Sequence, residues 1–234
     1  HNHTTASDGT ADLRTMRAAA AARGLRYLGI SEHSEAAHYA GGLDGARLHA
    51  QAEEIEALNA EEHRCALLTG VESDILEDGR LATPDGGGAT LDCVFASVHR
   101  RHGQGREAIT GRMVRAAHHP KAAVIGQPTG RLLLGRAPTE LDVEALLEAC
   151  AASGCAVELN ANPQRLDLNA RYVSMAKERG VLVSIAADAH APGELDHLDH
   201  GVTLARRAGL RPADVLNARP LEVLRGWLAA RALG

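Results

Sequence analysis

Six short apolar runs recur along the chain, each about 4–8 residues long and each bounded by turn residues. They are RYLGIS (Arg26 to Ser31), CALLTGVE (Cys65 to Glu72), CVFASV (Cys93 to Val98), AAVIG (Ala122 to Gly126), CAVELN (Cys155 to Asn160) and VLVSIA (Val181 to Ala186). Such runs predict strands buried on both faces. Helical spacing of apolar positions fills the intervals. Thr10 caps a helix through Ala22, which Gly24 stops. Asp44 to Glu62 follows, with Leu48, Ile55 and Leu58 on one face. Arg106 to Ala117, Thr139 to Ser153, Leu168 to Arg179, Leu195 to Ala208 and Pro220 to Ala232 complete the helical stretches. A truncated first strand at His1 to His3 brings the expected strands to seven. Repeated β–α alternation predicts a parallel sheet with crossover helices. The Gly-rich stretch Glu77 to Thr90 interrupts that rhythm. No repeat of about 20–50 residues and no linker divides the chain, so residues 1–234 are expected to form one domain.

Composition narrows the function classes. Hydrophobic residues make up 45% of the 234, and the net charge is only −5, which excludes intrinsic disorder. No apolar run reaches the roughly 18 residues of a membrane span, so no membrane partner is expected. The first residue is His rather than Met, and the chain is expected to be trimmed or excised from something longer. Cys65, Cys93, Cys150 and Cys155 show no CxxC spacing, which favours a reduced, cytoplasmic chain with cysteines as small core residues. Aromatic residues are 2% of the chain, too few for a module that stacks bases on aromatic rings. No GxGxxG or GxxxxGK[ST] fingerprint follows a strand. Histidine is plentiful at 13 residues, which points to metal.

The residues able to bind metal fall in one kind of place. His1 and His3 stand at i, i+2, on one face of a strand. Asp8 follows them. His33, Glu72, His99, Gln127, Asp188 and His190 each end or follow a predicted strand. Strand-end residues converge if the sheet closes, whereas an open sheet would spread them along an edge. A closed α/β barrel is therefore expected. Imidazoles and carboxylates without thiolates suit Zn, Mn or Fe. His118 and His119 precede the fifth strand, which places them ~20 Å away at the other barrel end. They read as surface histidines, as do His38, His49, His63, His197 and His200.

The segments HNHTTASDGT, GISEHS, GVESDIL, ASVH, IGQPTGRLL and AADAH resemble the motifs of the PHP (polymerase and histidinol phosphatase) domain. AGGLDGARL, VELNANPQRLDL and VLNARPLEVLRGWL are similar to the module at the C-terminal end of bacterial X-family DNA polymerases and to related stand-alone PHP proteins. The resemblance covers essentially the whole chain. It implies a distorted (β/α)7 barrel, two or three divalent metals and phosphoester hydrolysis. It also implies a polymerase domain N-terminal to this chain in a parent protein. By position, His1, His3, Glu72 and Asp188 would hold one ion. Glu72 would bridge to a second that also uses His99 and residue 127. Asp8, His33 and His190 would hold a third. Glu72, Asp188 and His99 would be catalytic through the bound ions. Two positions depart from the family pattern. Gln127 replaces the His of a GHP motif, which weakens the second site, because a neutral amide is a poorer ligand than imidazole. Glu32 replaces the Asp of TDH.

A phosphate substrate calls for arginine. Arg131 and Arg165 follow the fifth and sixth strands and are the substrate-binding candidates; Arg100, Arg101 and His102 read as a solvated basic loop. Asn160 could orient water or phosphate. The expected function is a metal-dependent phosphoesterase acting on a DNA 3′ end, as exonuclease, 3′-phosphatase or abasic-site enzyme in DNA repair. The alternatives are a phosphatase of a small phosphorylated metabolite, of histidinol-phosphatase type, and a weakened structural module. An amidohydrolase barrel is the more remote rival, and it usually wants a strand-end Lys that this chain lacks.

Overall fold

The computed structural model describes residues 1–83, 91–100 and 102–232. Residues 84–90 of the Glu77 to Thr90 excursion, and Arg101, lie outside them. Six parallel strands form one sheet in sequence order: β1 (Tyr27–His33), β2 (Ala66–Asp74), β3 (Cys93–Ser97), β4 (Val124–Ile125), β5 (Ala156–Asn160) and β6 (Val183–Ala186). The helices are α1 (Leu13–Ala22), α2 (Gly45–Ala60), α3 (Arg106–Ala117), α4 (Val143–Ser153), α5 (Ala170–Glu178), α6 (Leu198–Arg207) and α7 (Leu221–Ala232).

Both faces of the strands are apolar because both are covered. One set of alternate residues, including Ile125, Val157, Leu159, Val183 and Ile185, packs with residues of α3 to α6 such as Met113, Leu146, Val173 and Ala205. Leu28, Ile30 and Leu67 pack likewise with Met16 of α1 and Ile55 of α2. The opposite set, Leu68, Phe95, Val124 and Ala156, meets Leu224 and Leu228 of α7. The two-residue strand period then carries that inner set from this apolar plug to polar groups further along. Leu68 is followed on the same face by Glu72, and Ala156 by Glu158 and Asn160; all three polar residues are fully buried.

Chain segment His1–Thr4 closes the curled sheet. The Ser31 N–H of β1 donates to the Asn2 carbonyl at 2.8 Å. On the other side, His3 N–H donates to Ala189 O (2.9 Å) and Asp188 N–H to His1 O (3.1 Å). The architecture is a distorted α/β barrel. It has six strands among the described residues, not the seven expected. Asn2 makes a single parallel bridge to Ala189, and the chain then turns at Thr4, whose carbonyl accepts Ser7 and Gly9 N–H. That is too short a ladder for a strand.

Helix starts also differ from expectation. Asp12 caps α1 by accepting Thr15 N–H, while the Thr10 hydroxyl bonds His190 O. Asp142 and Asn169 cap α4 and α5 inside the stretches expected to be helical. The expected helix from Leu195 begins as a 3-10 turn, Pro192–His197, before α6. Among the described residues no helix is long and apolar enough to cross a membrane.

Candidate metal centre

Six of the nine candidate positions lie in or just after the last residues of a strand, and His1, His3 and Asp8 come from the N-terminal segment that closes the sheet. His33 ends β1 and pairs in register with Glu72 of β2. His99 lies two residues past β3, and Gln127 two past β4. Asp188 and His190 follow β6. Gln127 (φ +43°) and Asp188 (φ +52°) both occupy the left-handed region, a strained backbone of the kind that clusters at functional sites. Asp8 arrives on the Thr4–Gly9 turn, which crosses so close to His3 that a Cβ on Gly9 would lie 2.7 Å from the His3 carbonyl.

Glu32 holds that turn. Its carboxylate accepts Thr4 N–H (3.0 Å), the Thr4 hydroxyl (2.5 Å), the Ser7 hydroxyl and the Gln51 amide (3.0 Å). The residue preceding candidate ligand His33 therefore supports the arm that carries Asp8.

Nitrogen and oxygen donors converge in three groups, each with its atoms within 4.8 Å of one another: His1, His3 and Asp188; His33, Glu72 and His99; His3, Asp8, His33 and His190. Glu72 sits among them. Its Oε1 is 3.3 Å from His1 Nε2 and 3.2 Å from His99 Nε2, and its Oε2 is 3.0 Å from His33 Nδ1. Asp188 Oδ1 is 3.5 Å from both His1 Nε2 and His3 Nε2. Asp8 faces His190 Nε2 at 3.4 Å and His33 Nε2 at 3.5 Å. His33 thus serves two groups through its two nitrogens, and His3 joins the Asp8 group as well as the first. The Gln127 amide donates to Glu72 Oε1 at 2.9 Å.

Many of these atoms are near one another yet not aligned for hydrogen bonding. His1 Nε2, both His3 nitrogens, His33 Nδ1 and Glu72 Oε2 are buried without a hydrogen-bond partner. Unpaired buried polar atoms are costly, and a shared cation satisfies them together. The charge state agrees. Burial pulls the His33 pKa down, but Asp8 and Glu72 outweigh it and raise it to about 9. Burial likewise opposes the charge of Glu72 and the Asp74 contact at His99, and the result is about 10. His3 is carried down to about 4 by burial. Glu72 and Asp188 stay below the usual carboxylate range, because the neighbouring imidazoles overcome burial. The donor set fits a cluster of divalent ions.

Two supporting residues, Glu158 and Asp74, were not singled out by the motifs. Glu158, in the middle of β5, lies 2.7 Å from His1 Nδ1 and accepts the Gln127 backbone N–H at 2.7 Å. Asp74, ending β2, approaches His99 Nδ1 at 3.2 Å. Asn160, expected to orient water or phosphate, donates instead to Asp188 Oδ2 at 3.0 Å, which orients the carboxylate of that candidate ligand. The arginine candidates separate. Arg165 reaches the cluster, with Nε 3.3 Å from Asp188 Oδ2 and Nη1 buried without a hydrogen-bond partner. Arg131 instead bonds the carbonyls of Arg165 and Leu166, bracing the turn that presents Arg165. Arg100 donates to Ala36 O. His38, His49, His63, His118 and His200 are exposed, and His119 and His197 half-buried.

No family profile matches the chain. Over 228 residues, 97% of its length, it is 41% identical to the DNA polymerase/3′-5′ exonuclease PolX of Bacillus subtilis. The chain belongs to the PHP family. This PHP chain spans 40% of the PolX protein. It is also 28% identical over 161 residues to a probable phosphatase of Thermoanaerobacter sp., covering 64% of this chain and 63% of that protein. Its fold matches the structure of histidinol phosphate phosphatase from Lactococcus lactis complexed with Zn, L-histidinol and phosphate: TM-score 0.63, 17% identity, 90% of this chain and 93% of that one. Family and donor clusters together make this chain a metal-dependent phosphoesterase.

Proposed function

We propose that this PHP chain is a phosphatase whose substrate is a small phosphate monoester, of the kind a histidinol-phosphatase-type enzyme hydrolyses. The observation that carries the reading is Arg165. It brings a guanidinium with an unpaired Nη1 to the edge of the donor cluster, and a guanidinium is a natural partner for phosphate oxygens. Asp8, Glu72 and Asp188 would repel a phosphate dianion if left alone. The imidazoles and carboxylates would therefore hold the cations that reverse that sign, while Arg165 holds a non-bridging oxygen. Divalent ions supply Lewis-acid polarisation of the phosphoryl group and acidify a water. Asn160 keeps the Asp188 carboxylate oriented, and Arg131 keeps the Arg165 turn in place. The net charge of −5 suits a small substrate better than a polyanion.

A second reading is a nucleic-acid 3′ end. The 41% identity to PolX favours it, as does the loop beside Arg165, where Leu134 is fully exposed and Leu133 is 42% exposed. The test is phosphate release by Mn- or Zn-loaded protein from histidinol phosphate, p-nitrophenyl phosphate and a 3′-phosphorylated oligonucleotide. The proposal expects kcat/KM to be highest on a small monoester. A preference for the oligonucleotide would replace it with the second reading, and no release from any would reject both.

A further inference from the structure

Glu158 is the residue that most needs an explanation. It is a fully buried carboxylate in the middle of an apolar strand, and it has no Lys or Arg partner within 4.0 Å among the described residues. Its two oxygens are divided. Oε1 lies 2.7 Å from His1 Nδ1, and Oε2 accepts the Gln127 N–H at 2.7 Å. The His1 ring is flanked by Phe95, with ring centroids 5.1 Å apart. Its other nitrogen, Nε2, points among Glu72 Oε1 and Asp188 Oδ1 at 3.3 and 3.5 Å.

We infer that Glu158 is a positioning residue that fixes the tautomer of His1 and, through the same carboxylate, the backbone of residue 127. As a carboxylate it can only accept, so it demands a proton on Nδ1 and leaves the Nε2 lone pair free for the ion. The second oxygen meets a backbone N–H, which also only donates. An amide cannot serve both: turning its oxygen to one partner turns its NH2 to the other. The carboxylate is therefore required. One side chain links the ligand of the first group to the strained turn that places Gln127 against Glu72. Asp74 stands in a different relation: it approaches His99 Nδ1 at 3.2 Å and accepts the Ser34 hydroxyl at 3.3 Å. The inference rests on the assignment of metal to the cluster and is independent of the substrate.

The test combines NMR with metal titration. In the Zn-loaded wild-type protein, 15N spectra of the histidine rings should show His1 ligated through Nε2 with its proton on Nδ1. Apo Glu158→Gln protein, titrated with Zn against a chromophoric chelator, should bind its tightest ion about 10–100-fold more weakly. Its Co-loaded form should show an altered visible absorption band. Ligation of His1 through Nδ1 would overturn the inference, as would Glu158→Gln affinity within twofold of wild type. If Glu158→Gln does not fold, the wild-type spectrum decides alone. Wild-type protein that takes up no Zn sinks the metal assignment and the inference together, whereas Zn uptake with the wrong tautomer sinks only the inference.

Discussion

Replacing Glu32 with Ala should destabilise the metal-free protein by about 3 kcal/mol. Four donors end on this one buried carboxylate. Two of them, the Thr4 N–H and the Gln51 amide, belong to buried residues that would be left without an acceptor. Each orphaned donor costs about 1–3 kcal/mol. The Thr4 and Ser7 hydroxyls can rotate toward other acceptors and add little. Water entering the vacated space offsets part of the loss, which keeps the sum in the lower half of the resulting range of about 2–6 kcal/mol. Glu32→Gln retains one acceptor oxygen and should cost about half as much, because the Ser7 hydroxyl can reverse and accept from the new NH2. Urea denaturation followed by circular dichroism measures both variants. The Ala variant should also bind fewer ions or bind them more weakly, since Glu32 anchors the turn that carries Asp8. An Ala variant within about 0.5 kcal/mol of wild type, well under the orphaned-donor cost, would refute this account of Glu32. A Gln variant less stable than the Ala variant would do the same.

Glu72→Gln should abolish phosphate release and lower metal content, because Glu72 lies within 3.3 Å of His1, His33 and His99; near-normal turnover with full metal would contradict its central place. Gln127→His should lower the Mn or Zn concentration needed for half-maximal activity, since an imidazole would replace an amide now spent on Glu72; an unchanged midpoint would clear Gln127 of weakening that site. The metal-free protein should lose stability as pH rises. His33 and His99 carry folded pKa values of about 9 and 10 against 6.5 unfolded, so their contribution is complete below about pH 6.5 and gone above about pH 10. Urea midpoints that rise across that window would reverse the sign.

Much of the donor cluster was legible because its His, Asp and Glu residues mostly stand where turn signals end apolar runs. SEH, GVE, SVH and DAH each sit at such a boundary and HNH opens the given sequence, and the structure brings their candidate residues to one barrel end. The supporting shell was harder to read. Glu158 and Asp74 lie in strands whose pattern announces only burial, and a charged residue inside CAVELN or GVESD was the signal available. Sequence could not show that Arg131 turns to carbonyls while Arg165 turns to Asp188, because backbone course decides side-chain direction. The seventh strand failed for a related reason. Alternation in HNH suits a strand, but the ladder it makes is one bridge long. The first helix cap went to Asp12 rather than Thr10 because both are good caps, and the Thr10 hydroxyl found the His190 carbonyl.

The measurement that bears most directly on the whole account is anomalous diffraction from crystals loaded with Zn or Mn, collected at the metal's absorption edge. The account predicts peaks inside the groups formed by His1, His3 and Asp188 and by His3, Asp8, His33 and His190, with a weaker one between Glu72 and His99. For Zn, each should lie about 2.0–2.2 Å from its nitrogen and oxygen ligands. Loaded crystals with no peak in any of these groups, or with peaks only at exposed histidines such as His38, His49 or His118, would contradict it.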